Sequence, residues 1–221
     1  MQALRGTQDI LPRDIWKWNY VEKKIREWCR LYRFGEIRTP MFEATELFLR
    51  GIGDTTDVVT KEMYTFNDRG GRSITLRPEN TAAVVRSFLE HKAYADDNVH
   101  KVFYIGSMFR YDRPQAGRFR EFHQFGVETL GSYSPAADAE CIALAVDFFH
   151  SLGLKDLKLL INSIGHVECR KAYRERLIKF LEPKKDQLCD DCKERLYKNP
   201  LRVLDCKEDG CKGSTDYGLS L

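Results

Sequence analysis

The chain has 221 residues, 43% hydrophobic and 31% charged, with a formal net charge of +3. That length suits one large domain, or one domain with part of a second, and leaves enough apolar residues for a sizeable core. A charge so near zero does not announce a general nucleic-acid binder, so any RNA site must be a local basic patch. No apolar run approaches the roughly 20 residues of a membrane span, and residues 1–12 carry no apolar signal segment. A cytoplasmic location is therefore expected, where seven cysteines read as thiols or metal ligands rather than as a disulfide framework.

Asp14 stands just after Pro12 as a candidate N-cap. From there Trp18, Val21, Ile25, Trp28 and Tyr32 recur at three- and four-residue steps, which predicts an amphipathic helix with one face on a core. Residues 33–39 precede Pro40 and read as extended, because the residue before a proline disfavours helix. Alternating runs at 63–66 and 73–77 flank Asn67-Asp68-Arg69-Gly70-Gly71, a hairpin signal. A helix is predicted over 81–91 with Ala82, Val85 and Phe88 or Leu89 inward. Strand-like runs at 102–111 and 119–130 are joined by the polar, basic loop 112–118. A helix over about 137–152 ends at Gly153, a suitable left-handed cap. A strand is expected at 157–162 and a helix at 167–181. Composition turns charged and cysteine-rich at Pro183, so the expected domains are 1–181 and 182–221. Hairpins with helices between them argue for an α+β fold rather than parallel βαβ units. There is no glycine-rich phosphate loop, so a bound nucleotide would have to be held by side chains and a sheet surface.

The 119–130 strand carries the chemistry. Side chains alternate along a strand, which puts Phe122, Gln124, Gly126, Glu128 and Leu130 on one face and Phe119, Glu121, His123, Phe125, Val127 and Thr129 on the other. At ~3.3 Å per residue, Phe122 and Glu128 are about 20 Å apart before twist, the reach of an extended ligand with a flat ring at one end. Gly126 would let such a ligand approach the backbone. Arg110 alternates with Met108 and Gly106 on the partner strand, and on a shared face its guanidinium would suit a phosphate. The competing reading is a solvated polar face on an antiparallel sheet.

Phe109-Arg110-Tyr111-Asp112, followed by Arg113-Pro114-Gln115-Ala116-Gly117-Arg118-Phe119-Arg120-Glu121-Phe122-His123-Gln124, resembles motif 2 of the class II aminoacyl-tRNA synthetases, in the form of the histidyl family. Arg5-Gly6-Thr7-Gln8-Asp9-Ile10-Leu11-Pro12 resembles that family's opening, and the first helix through Arg38-Thr39-Pro40 its dimerisation motif. Glu62-Met63-Tyr64-Thr65-Phe66 and Leu76-Arg77-Pro78-Glu79-Asn80-Thr81-Ala82 are similar to its amino-acid-binding region. Asn199-Pro200-Leu201-Arg202-Val203-Leu204-Asp205 resembles its insertion domain. The resemblance implies a class II antiparallel sheet flanked by helices. It also implies ATP-dependent activation of histidine and its transfer to tRNA(His), with ATP as substrate, accompanied by Mg2+, and a homodimer. By the same resemblance Arg110 is catalytic, gripping the α-phosphate and carboxylate; Phe122 stacks on adenine and Arg118 holds the far phosphates. Glu79, Asn80, Thr81 and Gln124 belong to the histidine pocket, with Glu128 accepting from the imidazole. Arg113, Gln115 and Arg120 meet the tRNA acceptor end.

Asp112 stands where the family usually has Glu, and Asn80 where it usually has Gly. The family's second histidine-specific segment, its third motif and its anticodon-binding domain do not appear before Leu221, so an incomplete sheet and little or no aminoacylation by this chain alone are expected. A second reading is the synthetase-like regulatory subunit of ATP phosphoribosyltransferase, which keeps the fold without charging tRNA; the intact Arg110, Arg118, Gln124 and Glu128 favour the ligase. Cys189, Cys192, Cys206 and Cys211 have the outline of a four-thiolate zinc site, although the second pair is more widely spaced than usual. The resembling family needs no metal there, so zinc is not expected and free thiols are. Cys29 and Cys141 sit in helical apolar patterns and are expected in the core.

Overall fold

The computed structural model describes residues 1–52, 62–96, 98–162 and 165–215. The chain forms two compact units, Met1–Leu157 and Lys158–Leu221.

The first unit begins with α1 (Ile15–Leu31), then β1 (Gly35–Glu36), β2 (Phe42–Ala44) and α2 (Thr45–Ile52). The predicted hairpin follows as β3 (Thr65–Asn67) and β4 (Ser73–Leu76). Its turn is closed by Asp68, whose carboxylate accepts from the backbone N–H groups of Gly70 and Arg72, both at 2.9 Å, while Gly71 supplies the positive φ of 78°. Next come α3 (Thr81–Glu90), β5 (His100–Phe109), β6 (Glu121–Leu130) and α4 (Pro135–Ser151). Ser134 caps α4 through the Ala136 N–H, and Gly153 beyond its end has φ 90°. The strands form two three-stranded sheets, β1-β5-β6 and β2-β4-β3, antiparallel except for the β1–β5 pair. This is the α+β arrangement expected.

The main core lies where the β5–β6 face carrying Phe103, Ile105, Phe125 and Val127 meets α1 and α4 through Ile25, Cys29, Leu144 and Phe148. Tyr32 at the end of α1 donates to Asp147 on α4 at 2.5 Å, which pushes the tyrosine pKa up to about 12. Cys29 is fully buried and Cys141 half-buried against this core. Among the described residues no helix is long and apolar enough to cross a membrane.

Three local expectations are corrected. Asp14 occupies the N-cap position of α1 but does not cap; its carboxylate is drawn to Lys17 and Arg13 instead. The inner face of α3 is Ala83 and Val84, not Ala82 and Val85; Ala82, Val85 and Leu89 line an open cavity of about 910 Å³ with Leu47 of α2. Residues 157–162 make no strand, and Leu159, Leu160 and Ile161 are at least half exposed. An apolar run becomes a strand only when a neighbouring edge pairs with it, and none does so among the described residues.

Arg77, at the end of β4, joins the two sheets. Its side chain is 5% exposed and donates to the carbonyl oxygens of Ser107 (2.8 Å) and Thr39 (3.1 Å) and to Asn80 Oδ1 (3.3 Å). Its backbone bonds Met41 on one side and Phe109 on the other. Burial lowers its pKa, and no carboxylate is among these partners. A Cβ on Gly106 would strike this guanidinium, so β5 needs glycine there.

The second unit holds α5 (Val167–Leu181), a 3₁₀ turn (Glu182–Gln187), α6 (Asp190–Lys198), α7 (Leu201–Leu204) and α8 (Asp209–Thr215). Leu177 and Leu181 of α5 share one core with Leu188, Cys192, Leu196, Val203 and Cys211. The division at Leu157–Lys158 therefore falls ahead of the boundary expected at 181/182. The composition shift at Pro183 marks a turn inside the unit, because the inner face of α5 is buried by the segments that follow it.

Replacing Arg77 by Met should destabilise the first unit by roughly 2–4 kcal/mol, since three acceptors lose their donor and each buried unmet group costs about 1–3 kcal/mol, partly offset by removing a desolvated charge. All three tryptophans lie on α1, so urea unfolding followed by tryptophan fluorescence reads this directly; an unchanged midpoint would contradict the bridging role.

Candidate active site

The β5–β6 ladder runs without interruption from His100↔Leu130 to Phe109↔Glu121. Its register puts Met108 opposite Phe122, Gly106 opposite Gln124, Tyr104 opposite Gly126 and Val102 opposite Glu128. These residues share the face turned away from the α1–α4 core, and Val84 of α3 packs on it with Tyr104 and Met108. The face count from the sequence is thus the observed one, and His123 lies on the other side, edge-on to the Trp18 ring at 4.7 Å.

At one end of this face Arg110 leaves β5. Its Nε donates to the Pro78 carbonyl at 2.8 Å, and its guanidinium lies 5.2 Å from the centroid of Phe122. The strand therefore delivers a fixed cation beside a flat ring, with donors of the guanidinium left over for an anion.

At the other end Glu79, Thr81 and Glu128 meet. Glu79 accepts from the Thr81 N–H at 2.6 Å and the Ala82 N–H at 3.1 Å, so its carboxylate closes the start of α3. The Thr81 hydroxyl donates to Glu128 Oε1 at 2.7 Å. Burial raises the pKa of Glu128, opposed by its hydrogen bonds from Thr81 and Tyr104 and reinforced by the Glu79 charge. Neither carboxylate forms an ion pair among the described residues. Tyr104 is pushed up to about 12 by burial and by Glu128, so it stays a neutral donor. Between the two ends, Gln124 has a buried Oε1 without a hydrogen-bond partner among the described residues. The surface thus presents an acceptor-rich anionic end suited to an N–H-bearing or cationic group, and a cationic, aromatic end suited to a phosphate and a flat ring.

Two residues that build this surface were not singled out from the sequence. Tyr104 lies across Gly126, where any Cβ would strike its ring and hydroxyl; glycine there admits a neighbouring side chain as well as a ligand. Arg77 holds the turn that carries Glu79 and Thr81. A tyrosine on alternate spacing with Gly106 and Met108 was a visible signal for the first, whereas no sequence pattern separates a buried arginine from an exposed one.

Two expected site residues make contacts within the fold. Asn80 is 1% exposed and its Oδ1 accepts from Thr39 (2.6 Å) and Arg77 (3.3 Å), while its buried Nδ2 has no hydrogen-bond partner among the described residues. Arg120 is not presented by the loop tip: its guanidinium stacks on Tyr111 at 3.9 Å, its aliphatic stem covers Gly6, and its N–H donates to the Gly6 carbonyl at 2.7 Å. Arg113 and Gln115 are exposed on the loop, which turns at Gly117 (φ 76°). Arg118 pairs with Asp112 at 3.0 Å. Cys189, Cys192, Cys206 and Cys211 belong to the second unit.

The sequence profile described as histidyl-tRNA synthetase matches residues 6–190. The chain is 66% identical over 209 residues to the histidine–tRNA ligase of Anoxybacillus flavithermus, covering 94% of this chain and 49% of that protein. It is 62% identical over 207 residues to the histidine–tRNA ligase of Pelotomaculum thermopropionicum, covering 94% and 49%. The chain thus spans about half the length of these curated relatives. The crystal structure of apo S. aureus histidyl-tRNA synthetase matches with a TM-score of 0.73 and 44% identity over 100% of this chain and 54% of that one. An ATP phosphoribosyltransferase regulatory subunit/histidyl-tRNA synthetase from Bacillus halodurans shares the fold, at a TM-score of 0.63 and 20% identity over 97% and 59%. With a profile match over most of its length and ligase relatives at about 60% identity, this chain belongs to the histidyl-tRNA synthetase family.

Proposed function

We propose that this chain carries the histidine- and ATP-holding surface of a histidine–tRNA ligase, which activates histidine to its adenylate and transfers it to tRNA(His). The observation that carries the reading is the polarity of the β5–β6 face: an unpaired acidic end at Glu79 and Glu128, a buried orphan acceptor at Gln124, and a cation beside an aromatic ring at Arg110 and Phe122.

In this reading the α-ammonium group of histidine lies against Glu79, Thr81 and Gln124, whose free Oε1 supplies the missing acceptor. The imidazole N–H donates to Glu128, which few competing amino acids can do at that position. The carboxylate of histidine then points along the strand to Arg110. One carboxylate oxygen attacks the α-phosphorus of ATP, the new oxygen–phosphorus bond forms, the bond from the α-phosphorus to the oxygen bridging to the β-phosphate breaks and pyrophosphate leaves. The nucleophile is already ionised, so the protein supplies alignment and charge stabilisation rather than a general base. Arg110 meets the charge developing on the α-phosphate, and adenine stacks on Phe122. Arg118 would exchange its ion pair with Asp112 for the far phosphates of ATP, which is taken up with its magnesium ion. Arg113 and Gln115, exposed on the loop, are the side chains free to meet the acceptor end of tRNA.

The family's dimerisation segment runs through α1 to Pro40, and Trp16, Leu31, Met41 and Phe42 on or just beyond it are each more than half exposed, which supports a homodimer. A cytoplasmic location follows from the proposed reaction, since charged tRNA is consumed by translation. The regulatory-subunit reading is less supported: the curated relatives at 60–66% identity are all named histidine–tRNA ligase, and the likeness to the B. halodurans protein shows fold alone.

Isothermal titration with histidine and then ATP tests the proposal. Saturable histidine binding should disappear in Glu128→Gln, while Arg110→Ala should weaken ATP by about 10–100-fold, the worth of a charge-assisted hydrogen bond of about 1.5–3 kcal/mol. A folded wild-type chain that takes up neither ligand would refute it.

Glu128→Gln should also raise the thermal midpoint of the ligand-free chain at neutral pH. The folded-state pKa of Glu128 is raised, so its ionised form costs stability above that pKa and costs nothing where the group is protonated in both states. The gain should therefore fade as pH falls below the ordinary carboxyl range. A Glu128→Gln midpoint lower than wild type at neutral pH would show that the carboxylate stabilises the free site.

A further inference from the structure

We propose that Cys189, Cys192, Cys206 and Cys211 bind one zinc ion as a four-thiolate structural site that holds the second unit together. The proposal stands on the second unit alone and is independent of the ligase reading.

The four residues come from three segments. Cys189 is the N-cap residue of α6 and Cys192 lies in that helix's first turn; Cys206 follows α7 and Cys211 lies on α8. Their sulfur atoms nevertheless all lie within 4.8 Å of one another, and the Cys189 and Cys206 sulfurs are 3.9 Å apart. A tetrahedral ion with Zn–S bonds of about 2.3 Å places its sulfurs roughly 3.8 Å apart, so the cluster needs only a small contraction to close on one ion. An iron–sulfur cluster, with several atoms between its thiolates, needs a wider cage. A disulfide needs two sulfurs at about 2.05 Å and gives no reason for four to gather.

The donor set also narrows the choice of metal. No histidine or carboxylate joins the group among the described residues, and four soft thiolates favour zinc over calcium, magnesium or manganese. The sulfurs are prepared as acceptors: the Cys189 backbone N–H donates to the Cys211 sulfur at 3.2 Å, the kind of bond that stabilises a thiolate ligand.

Packing alone does not account for the arrangement. The other three cysteines, Cys29, Cys141 and Cys169, are scattered and join no such group. Cys192 and Cys211 are fully buried in the unit's core, but Cys189 and Cys206 are only partly buried and add little as apolar groups. The wider Cys206–Cys211 spacing, which argued against zinc in the sequence, is absorbed by α8: Cys211 bonds back to the Glu208 carbonyl at 3.0 Å, so the extra residues are taken up by a helical turn.

The test is the metal content of the purified 221-residue chain together with cobalt(II) titration of its metal-stripped form. We expect one zinc per chain by plasma mass spectrometry, released by a mercurial thiol reagent, lost in Cys189→Ser and Cys206→Ser and retained in Cys169→Ser. Cobalt should give the intense red-region bands and near-ultraviolet sulfur charge transfer of a tetrahedral four-sulfur site, quenched by one equivalent of zinc, an assay that does not depend on any variant folding. A weak octahedral cobalt spectrum, iron in place of zinc, or an intact mass short of two hydrogens per cysteine pair would each overturn the proposal.

Discussion

The pairing of β5 with β6 is the constraint on which the first unit depends. Each strand is ten residues long, and the ladder is continuous from end to end. One face seals the core against α1 and α4, and the other carries the candidate site. Because side chains alternate with a period of two, a one-residue slip of β6 would send Phe125 and Val127 to the ligand face and Gln124 and Glu128 into the core. The hydrophobic demand on one side therefore holds the chemistry in register on the other. Gly106 and Gly126 extend the same logic: each leaves a gap that another side chain fills, Arg77 in one case and Tyr104 in the other.

The electrostatics of the site follow from that register. Glu128 is set beside Glu79 in partly buried surroundings, and burial together with the Glu79 charge disfavours its ionised form. Arg110 at the opposite end is steadied by the Pro78 carbonyl and the Phe122 ring, neither of which neutralises it. An amino acid aligned along the strand would meet each end with the opposite charge. Arg77 supports the turn where Glu79 and Thr81 begin α3, since it locks Thr39, Asn80 and Ser107 around it.

The second unit is built on another scale. Its core joins Leu177, Leu181, Leu188, Leu196 and Val203 to two of the four clustered cysteines. Its helices after α5 are short, from four to nine residues, too short to persist on their own propensity. Tertiary packing is what such helices require, and the four thiols lie where α6, α7 and α8 converge.

Much of this was legible in the residues themselves. Periodicity marked α1, α4, α5, the β3–β4 hairpin and the β5–β6 pair, and the alternation in β6 identified the face holding Phe122, Gln124 and Glu128. These signals are local, and a local pattern is all that an amphipathic helix or a two-faced strand needs to declare itself. The motif around Arg110 pointed to the family independently of any fold. What only the tertiary structure decided depends on partners distant in sequence. Residues 157–162 have the apolar character of a strand, but no edge pairs with them among the described residues. The inner face of α3 turned by one position because Val84 packs on Tyr104 and Met108. Asn80 and Arg120, polar and near the motif, were drawn into contacts with Thr39, Arg77, Tyr111 and Gly6. The four cysteines had the outline of a four-thiolate site in the sequence, but their convergence from three helical segments was not legible there, because the second pair looked too widely spaced. Composition and period determine which residues seek burial; which polar groups become one another's partners is settled only when the elements pack, because a buried donor takes whichever acceptor the fold brings within 3 Å or so.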